Sequence, residues 1–189
     1  SSLNFCAAKR GTIDKRTVLT KSSPATISPV QLVLLQQKPE HFAQVAAWHH
    51  QECERQGLQS SLVVRQQRLL GHVQHHCLHK TIVAVRAGQL LGCISLVHYA
   101  YRGREQQFKF TGDHPVWLSN LFVPERNRQR GLGNLLIEAV KKYALELGLN
   151  ELWLSAAEYT DYYRKRGWQV VRRTRWGGRS VNVMRIALV

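Results

Sequence analysis

The segment Trp117–Leu136 reads WLSNLFVPERNRQRGLGNLL, and it predicts a strand, a basic loop and a helix in direct succession. The apolar run Trp117–Val123 is typical of a strand, and Pro124 ends it because proline cannot donate a hydrogen bond to a sheet ladder. An amphipathic run that we expect to be helical begins at Asn134. The rest of the chain can be placed on either side of this strand, loop and helix.

The loop inside this segment has the properties of an anion site. Gly131 and Gly133 would let a ligand approach the backbone closely. The helix that follows directs free N–H groups and the positive end of its dipole toward the loop. Formal positive charge comes from Arg126, Arg128 and Arg130. The spacing matches neither GxxxxGK[ST] nor GxGxxG, so we predict a pyrophosphate site of another kind.

Two motifs identify a family resemblance. Arg128-x-x-Gly131-x-Gly133 resembles the Q/R-x-x-G-x-G/A signature of the GNAT superfamily of N-acetyltransferases. Tyr162–Trp168, YYRKRGW, resembles the FYxKxGF stretch that follows the fifth strand in that superfamily. Both motifs have the family's order and approximate separation, and the resemblance covers residues 31–189. It implies acetyl-CoA as co-substrate and direct transfer of its acetyl group to an amine.

The resemblance also implies roles for individual residues. The pyrophosphate would be held by Arg128, Gln129, Arg130, Gly131, Leu132, Gly133 and Asn134, and the pantetheine arm would run beside Leu121, Phe122 and Val123. A backbone N–H near Leu121 would polarise the thioester carbonyl. Many relatives have glycine where this chain has Gln129, which puts the fit of the loop in question.

Tyr163 stands at the family's general-acid position, where a phenol would donate a proton to the leaving thiolate. A packed helical tyrosine is the alternative interpretation. The base that takes the amine proton is not evident, because the predicted fourth strand carries no carboxylate. The nearest candidates are His98, Asp113 and His114, and Ser119 could hydrogen-bond a water molecule.

Four histidines have the spacing of one helix face: His72, His75, His76 and His79, with Cys77 among them. One short helix cannot surround a metal ion, and the sequence has no second Cys/His pair at metal-ligand spacing. We therefore predict no metal site and expect a solvated or substrate-facing stripe.

Hydrophobic periodicity predicts the element order βααβββαβαββ. The predicted strands are 30–36, 81–86, 90–99, 117–123, 151–155, 168–174 and 181–188, and the predicted helices are 39–57, 58–78, 134–147 and 158–166. The fold class is α/β, a GNAT-like sandwich with one mixed, mainly antiparallel twisted sheet flanked by helices. Residues 1–28 are predicted to form a basic arm, with a transit peptide as one alternative, and residues 29–189 the acetyltransferase domain.

Composition limits the functional classes. A chain of 189 residues suits one domain. Its four cysteines lack CxxC spacing, which favours reduced thiols and a cytoplasmic location. No apolar run approaches the roughly 18 to 20 residues that span a bilayer, so no membrane partner is expected.

The net charge of +15 favours anionic ligands. We predict N-acetylation of a neutral or acidic acceptor, which could be a small molecule, a protein N-terminus or an aminoacyl-tRNA, and repulsion disfavours polycations. The alternative is a nucleic-acid-binding module or an inactive acetyltransferase-fold protein that binds RNA or an acidic protein through its basic face. Steep salt dependence of nucleic-acid affinity would distinguish that alternative. A monomer and a homodimer both remain open.

Overall fold

The computed structural model describes residues 28–73, 79–98, 115–176 and 178–189. The strands are β1 (Gln31–Leu34), β2 (Lys80–Arg86), β3 (Gln89–His98), β4 (Val116–Phe122), β5 (Glu151–Ala156), β6 (Gln169–Trp176) and β7 (Arg179–Ala187). The helices are α1 (Phe42–Arg55), α2 (Leu62–His72), α3 (Leu132–Glu146) and α4 (Thr160–Arg164). Short 3-10 turns lie at Leu35–Gln37, Pro39–His41 and Glu125–Asn127. The predicted element order is confirmed.

The seven strands form one sheet in the order β1-β2-β3-β4-β5-β7-β6. Neighbouring strands are antiparallel except β4 and β5, which are parallel. The predicted mixed, mainly antiparallel sheet is therefore confirmed. In the described part of the chain, β4 and β5 are in register only at Trp117 and Trp153. The sheet thus opens between the carboxyl ends of these two strands.

A bulge in β4 lies beside this opening. Ser119 lies opposite Ser95 and Phe122 lies opposite Cys93, so β4 has one residue more than β3 over the same length. Asn120 takes up the extra residue with φ +54. Because side chains alternate along a strand, the insertion exchanges the faces of the residues that follow it.

The exchange of faces is visible in the packing. Phe122 belongs to the apolar cluster beneath α1, where its ring centroid lies 5.1 Å from that of Trp48. Leu121 instead packs against the cluster beneath α3. Gly92 on β3 permits the close approach of α3 and β4, since a Cβ there would lie 3.0 Å from the Phe122 carbonyl oxygen and 3.1 Å from Leu136 Cδ1.

The sheet has an apolar core on each face. Alternation along β2 divides them: Ile82 and Ala84 join the α3 core, whereas Val83 and Val85 join the core of α1 and α2. The helical layers therefore lie on opposite faces, and the β4–β5 opening lies between them.

Two helices differ from their predicted bounds. The second helix is α2, shorter than the predicted 58–78, and Ser61 begins it by accepting a hydrogen bond from Val64 N at 3.2 Å. Leu62, the first residue of α2, is 42% exposed. Gly71 lies inside this helix, which continues to His72. The Ser61 side chain decided where this helix starts, because serine is a favoured N-cap residue.

The third helix begins at Leu132, two residues earlier than predicted. Leu132 and Ile137 are buried, whereas Leu135 is 42% exposed. The earlier start places Leu132, Leu136 and Val140 in one row at four-residue spacing, and Leu135 lies on the flank of that row.

Two further sequence features can be compared with the structure. Cys53 and Cys93 are free thiols, and Cys6 and Cys77 lie outside the described residues. Among the helices that the structure describes, none is long and apolar enough to cross a bilayer.

Candidate active site

The α3 N-terminus presents unsatisfied backbone donors. Gly131 caps the helix with φ +76, and within the described residues no side chain caps it. The first turn contains no acidic residue. The N–H groups of Leu132, Gly133 and Asn134 have no acceptor within the helix, as in the first turn of any α-helix. The positive end of the dipole adds to their attraction for an anion.

Gly133 leaves open space at this point. A Cβ built on it would meet no atom of the described residues within 4 Å, apart from its own helix, and its φ is not positive. Neither packing nor backbone conformation therefore requires glycine here. The space in front of the N–H groups is available to a ligand.

The loop before α3 is fixed by hydrogen bonds to the sheet. Arg128 Nε donates to the Val123 carbonyl at 2.9 Å, and Asn127 Nδ2 donates to the Leu91 carbonyl at 3.3 Å. Gln129 adopts φ +61, a conformation in which glycine is more readily accommodated. Arg128 thus ties the loop to the end of β4, while Arg130 is exposed.

The predicted cofactor residues are brought together, although several offer only backbone atoms. Leu132 and Phe122 are 5% and 7% exposed, so their side chains belong to the apolar cores. Leu121 and Val123 are half-buried at the opening between β4 and β5. Within the described residues, Leu121 and Phe122 have no register partner on β5. That edge of β4 is open to an extended ligand.

Arg166 contacts the first turn of α3, although it was not among the site residues predicted from the sequence. Its Nε donates to Asn134 Oδ1 at 3.2 Å, its Nη1 donates to the Tyr162 carbonyl at 3.0 Å, and its guanidinium lies 3.5 Å from the centre of the Tyr162 ring. These contacts connect α4 to the first turn of α3. The signal was present in the sequence, since Arg166 lies inside the second motif.

Tyr163 lies on α4, directly after β5 and on the same edge of the sheet as the α3 N-terminus. Its ring makes edge contacts with Tyr162 at 5.4 Å and with Trp168 at 6.1 Å. Burial, reinforced by Tyr162 and Tyr159, raises the pKa of Tyr163 to about 12. The phenol is therefore protonated at neutral pH.

A cleft of about 980 Å³ opens on the α1 and α2 side of the sheet. Its floor includes Trp117, Ser119 and Asn120 of β4 and Ser155 of β5. One wall comes from α2 and the opposite wall from β6. The cleft therefore reaches the β4 bulge from the side opposite α3.

Four imidazoles line this cleft: His49, His72, His79 and His98. Burial, together with Arg65, lowers the pKa of His49 to about 4. Burial, together with His79, His49 and Lys80, lowers the pKa of His72 to about 3. The pKa of His79 is also lowered, by burial and then by His98. These three rings are neutral at neutral pH.

The predicted histidine stripe does not form on one helix. His72 is the last residue of α2, and its Nδ1 lies 2.9 Å from Thr81 Oγ1, which in turn lies 2.8 Å from Ser95 Oγ. His79 lies beyond the helix, with its ring 5.4 Å from that of His72. Of the two expectations, a solvated or a substrate-facing stripe, the solvated one does not hold for His72, which is 8% exposed and lines the cleft. Hydrogen bonding to Thr81 offsets the cost of its burial.

Four other predicted candidates lie outside the described residues: His75, His76, Asp113 and His114. Among the residues that the structure does describe, no three His, Cys, Asp or Glu side chains form a metal-binding group. Of the aromatic residues that interleave with the basic C-terminal segment, Trp168 is 2% exposed and Tyr162 and Tyr163 pack against the α3 core. The Trp168 ring is therefore not available for base stacking, whereas Tyr162 and Tyr163 are half-buried and Tyr159 is 70% exposed.

The sequence profile of the GNAT acetyltransferase family matches residues 38–168. The chain belongs to this family. Acetyl-CoA is the co-substrate of the GNAT family, and the matched region contains α3, the β4–β5 opening and α4. The predicted membership is therefore confirmed, and with it the membership in a class of acyltransferases. No curated protein is significantly similar to the chain in sequence.

Solved GNAT structures share the fold at low sequence identity. N-acetylglutamate synthase from Neisseria gonorrhoeae, complexed with coenzyme A and N-acetylglutamate, is 17% identical with a TM-score of 0.60 over 86% of this chain and 36% of that one. An aminoglycoside 6'-N-acetyltransferase complexed with coenzyme A is 12% identical with a TM-score of 0.62 over 84% and 97%. A spermidine/spermine N-acetyltransferase from Vibrio cholerae is 14% identical with a TM-score of 0.60 over 84% and 92%.

Proposed function

We propose that this protein is an acetyl-CoA-dependent N-acetyltransferase. The observation that carries the proposal is the α3 N-terminus, which no described side chain caps and which has open space at Gly133. It lies beside the end of β4, where Leu121 and Phe122 have no described register partner on β5. Two of the GNAT structures that share this fold are described as complexes with coenzyme A. The acceptor is an amine that is neutral or acidic, and its cleft lies on the other side of the β4 bulge.

The proposed cofactor site uses the loop from Arg128 to Asn134. The N–H groups of the first α3 turn would hold the pyrophosphate, and the guanidinium groups of Arg128 and Arg130 would add charge. The pantetheine arm would run along Leu121, Phe122 and Val123 in the opening. A backbone N–H near Leu121 would hydrogen-bond the thioester carbonyl oxygen as negative charge develops on it.

The reaction forms a C–N bond and breaks a C–S bond. The amine nitrogen attacks the thioester carbonyl carbon, and the sulfur leaves with the bonding electron pair. A phenol with a pKa of about 12 is a weaker acid than a thiol of pKa near 8.5. Tyr163 therefore stabilises the departing sulfur chiefly by donating a hydrogen bond, and the proton that finally reaches sulfur can come from solvent.

The acceptor amine must reach the carbonyl without its extra proton. We assign the proton acceptor to the imidazoles of the cleft, with His98 as the first candidate because it lines the cleft at the end of β3, opposite Val116. No Asp or Glu is found among the described residues that line the cleft. An imidazole is the type of base that remains there.

Substitution of Tyr163 tests the proposed chemistry. We expect Tyr163→Phe to lower kcat about tenfold to a hundredfold while the acetyl-CoA dissociation constant changes less than about threefold, because the lost hydrogen bond forms mainly in the transition state. CoA-thiol release over a panel of amines gives kcat, and calorimetry gives the affinity. Tyr143→Phe, a second half-buried tyrosine packed against the α3 core, is the matched control. Unchanged turnover in Tyr163→Phe would remove this role.

The imidazole assignment has a separate test. We expect His98→Gln to lower kcat/KM for the acceptor about a hundredfold and to remove the acidic limb of its pH profile, because that limb reports the free base. His50→Gln is the control, since His50 lies on α1, bonds Ser60 Oγ at 3.0 Å and does not line the cleft. An acidic limb that persists in His98→Gln would place the base elsewhere.

A further inference from the structure

The acceptor cleft carries formal positive charge on two opposite walls. Arg65 and Arg68 contribute from α2, where they share one face with the cleft residues Leu69 and His72. Arg172 and Arg175 contribute from β6, the edge strand at the other end of the sheet. The described floor between the walls offers no carboxylate.

These guanidinium groups lack anionic partners in the part of the chain that the structure describes. Among the described residues, none of the four cleft arginines forms a salt bridge. Arg65 Nε donates to Ser60 Oγ at 3.1 Å, and Arg175 Nη2 donates to the Gly178 carbonyl at 3.1 Å, so both have neutral partners. Outside the cleft, four arginines are paired with carboxylates: Arg55, Arg164, Arg179 and Arg185. Other described arginines outside the cleft, among them Arg130 and Arg173, form no salt bridge, so what distinguishes the cleft is that four such groups line one cavity.

The concentration of unpaired charge has a cost within the protein. Like charges facing one cleft repel each other, and Arg65 contributes to the lowered pKa of His49 on the neighbouring helix. A bound anion would remove this repulsion. Guanidinium groups are also the side chains best suited to bidentate pairing with a carboxylate or phosphate.

We propose that the acceptor is a small amine carrying a carboxylate or phosphate group, held between Arg65 and Arg68 on one wall and Arg172 and Arg175 on the other. The inference rests on the N-acetyltransferase function proposed above. A cleft of about 980 Å³ lies at the upper end of the range of small-molecule sites.

The same cleft suits the amine end of such a molecule. Neutral imidazoles at His49, His72 and His79 offer hydrogen-bond acceptors to the nitrogen and add no charge. Nearby guanidinium charges favour loss of a proton from an ammonium group, which produces the nucleophilic form. Opposite ends of one small zwitterion would thus meet suitable partners.

Matched pairs of amines test the proposal. CoA-thiol release is measured for amino acids against their carboxamides and for O-phosphoserine against serine. We expect kcat/KM to be at least about tenfold higher for the member with the additional anionic group in each series that turns over, because that group gains charge-assisted hydrogen bonds. Four single variants test the walls of the cleft: Arg65→Gln, Arg68→Gln, Arg172→Gln and Arg175→Gln. In each variant we expect the KM for the anionic amine to rise about tenfold while the KM for acetyl-CoA is unchanged.

Arg173→Gln is the matched control. Arg173 is adjacent to Arg172 on β6 but donates to Asn182 Oδ1 at 3.3 Å and does not line the cleft. Its KM for the acceptor should equal that of the unmodified protein. An unchanged KM for acetyl-CoA in every variant also shows that the variants are folded.

The outcomes separate this inference from the proposed function. Equal kcat/KM for the acidic and amide members, or turnover confined to peptides or charged tRNA, would overturn the inference and leave the N-acetyltransferase intact. Failure of every amine to release thiol would overturn the proposed function. The anion site is then decided by calorimetry of the same pairs with CoA-bound protein, where equal affinity of acid and amide would contradict it.

Discussion

Gly133 shows how one residue can be disfavoured by the fold and still suit the site. It lies in the first turn of α3, and a Cβ added there would have no neighbour within 4 Å among the described residues outside its helix. Glycine in a helix is less favourable than alanine by up to about 1 kcal/mol. Glycine would compensate for this loss of helix stability because it leaves the backbone N–H groups accessible to a pyrophosphate.

Gly133→Ala should therefore change stability and affinity in opposite directions. We expect the free energy of unfolding to rise by about 0.5 kcal/mol, because alanine favours the helix, and acetyl-CoA affinity to fall about tenfold, because the methyl group occupies the ligand's space. Urea unfolding and calorimetry measure the two effects.

Gly71→Ala provides the matched control for this experiment. Gly71 is also helical, with no positive φ and no described neighbour within 4 Å of its Cβ position. The same gain in stability with unchanged acetyl-CoA affinity is expected. If Gly133→Ala and Gly71→Ala bind acetyl-CoA with equal affinity, the pyrophosphate does not lie against Gly133.

At the scale of elements, the β4 bulge decides what each face of the sheet presents. Without the extra residue, strict alternation would place Leu121 on the face of Trp117 and Ser119, and Phe122 would leave the α1 core. The bulge instead keeps Phe122 in that core and turns Leu121 toward α3. It also leaves the carboxyl end of β4 next to the opening where the cofactor is proposed to lie.

The conformation of Asn120 makes the bulge testable. Asn120 has φ +54, which asparagine and glycine tolerate better than a β-branched residue does. We expect Asn120→Val to lower the free energy of unfolding by about 2 kcal/mol and to weaken acetyl-CoA binding, whereas Asn120→Gly should change stability by less than about 1 kcal/mol. Urea unfolding measures the difference between the two variants. Equal stabilities would show that the positive φ is not maintained in solution.

At the scale of the whole molecule, buried histidines make stability depend on pH. His49 and His72 have folded pKa values of about 4 and about 3 because burial disfavours their charged forms. In the unfolded chain they take up protons near pH 6.5. Their depressed pKa values therefore support the fold above about pH 6.5, and that support is lost as the pH falls toward about 3.

Between about pH 7 and pH 5, where carboxylates hardly titrate, we expect a loss of about 2 kcal/mol or more in the free energy of unfolding. His72→Asn should reduce this slope, since one buried group with a lowered pKa is removed while His49 and His79 remain. Urea unfolding at several pH values measures both slopes. The same slope in both proteins would mean that His72 is accessible to protons in the folded state.

The sequence by itself determined the order of elements and the family, and it predicted the phosphate-type loop. These properties are local. Hydrophobic periodicity indicates a strand or a helix over a few residues, and Arg128, Gly131 and Gly133 lie within six consecutive residues. Local reasoning failed where two signals competed, as at Ser61 and Leu132, because a cap or a buried row moved the start of a helix. It also missed Arg166, although the motif contained that residue.

Only the tertiary structure decided which residues line the cleft that is proposed to hold the acceptor. Arg65 and Arg172 are far apart in sequence. No periodicity predicts that α2 and the edge strand β6 border the same cleft. The neutral state of His49 and His72 likewise depends on burial against residues that are distant in the chain. Charge and protonation in a cleft arise from long-range packing, and a linear pattern of residue types does not encode which side chains that packing brings together.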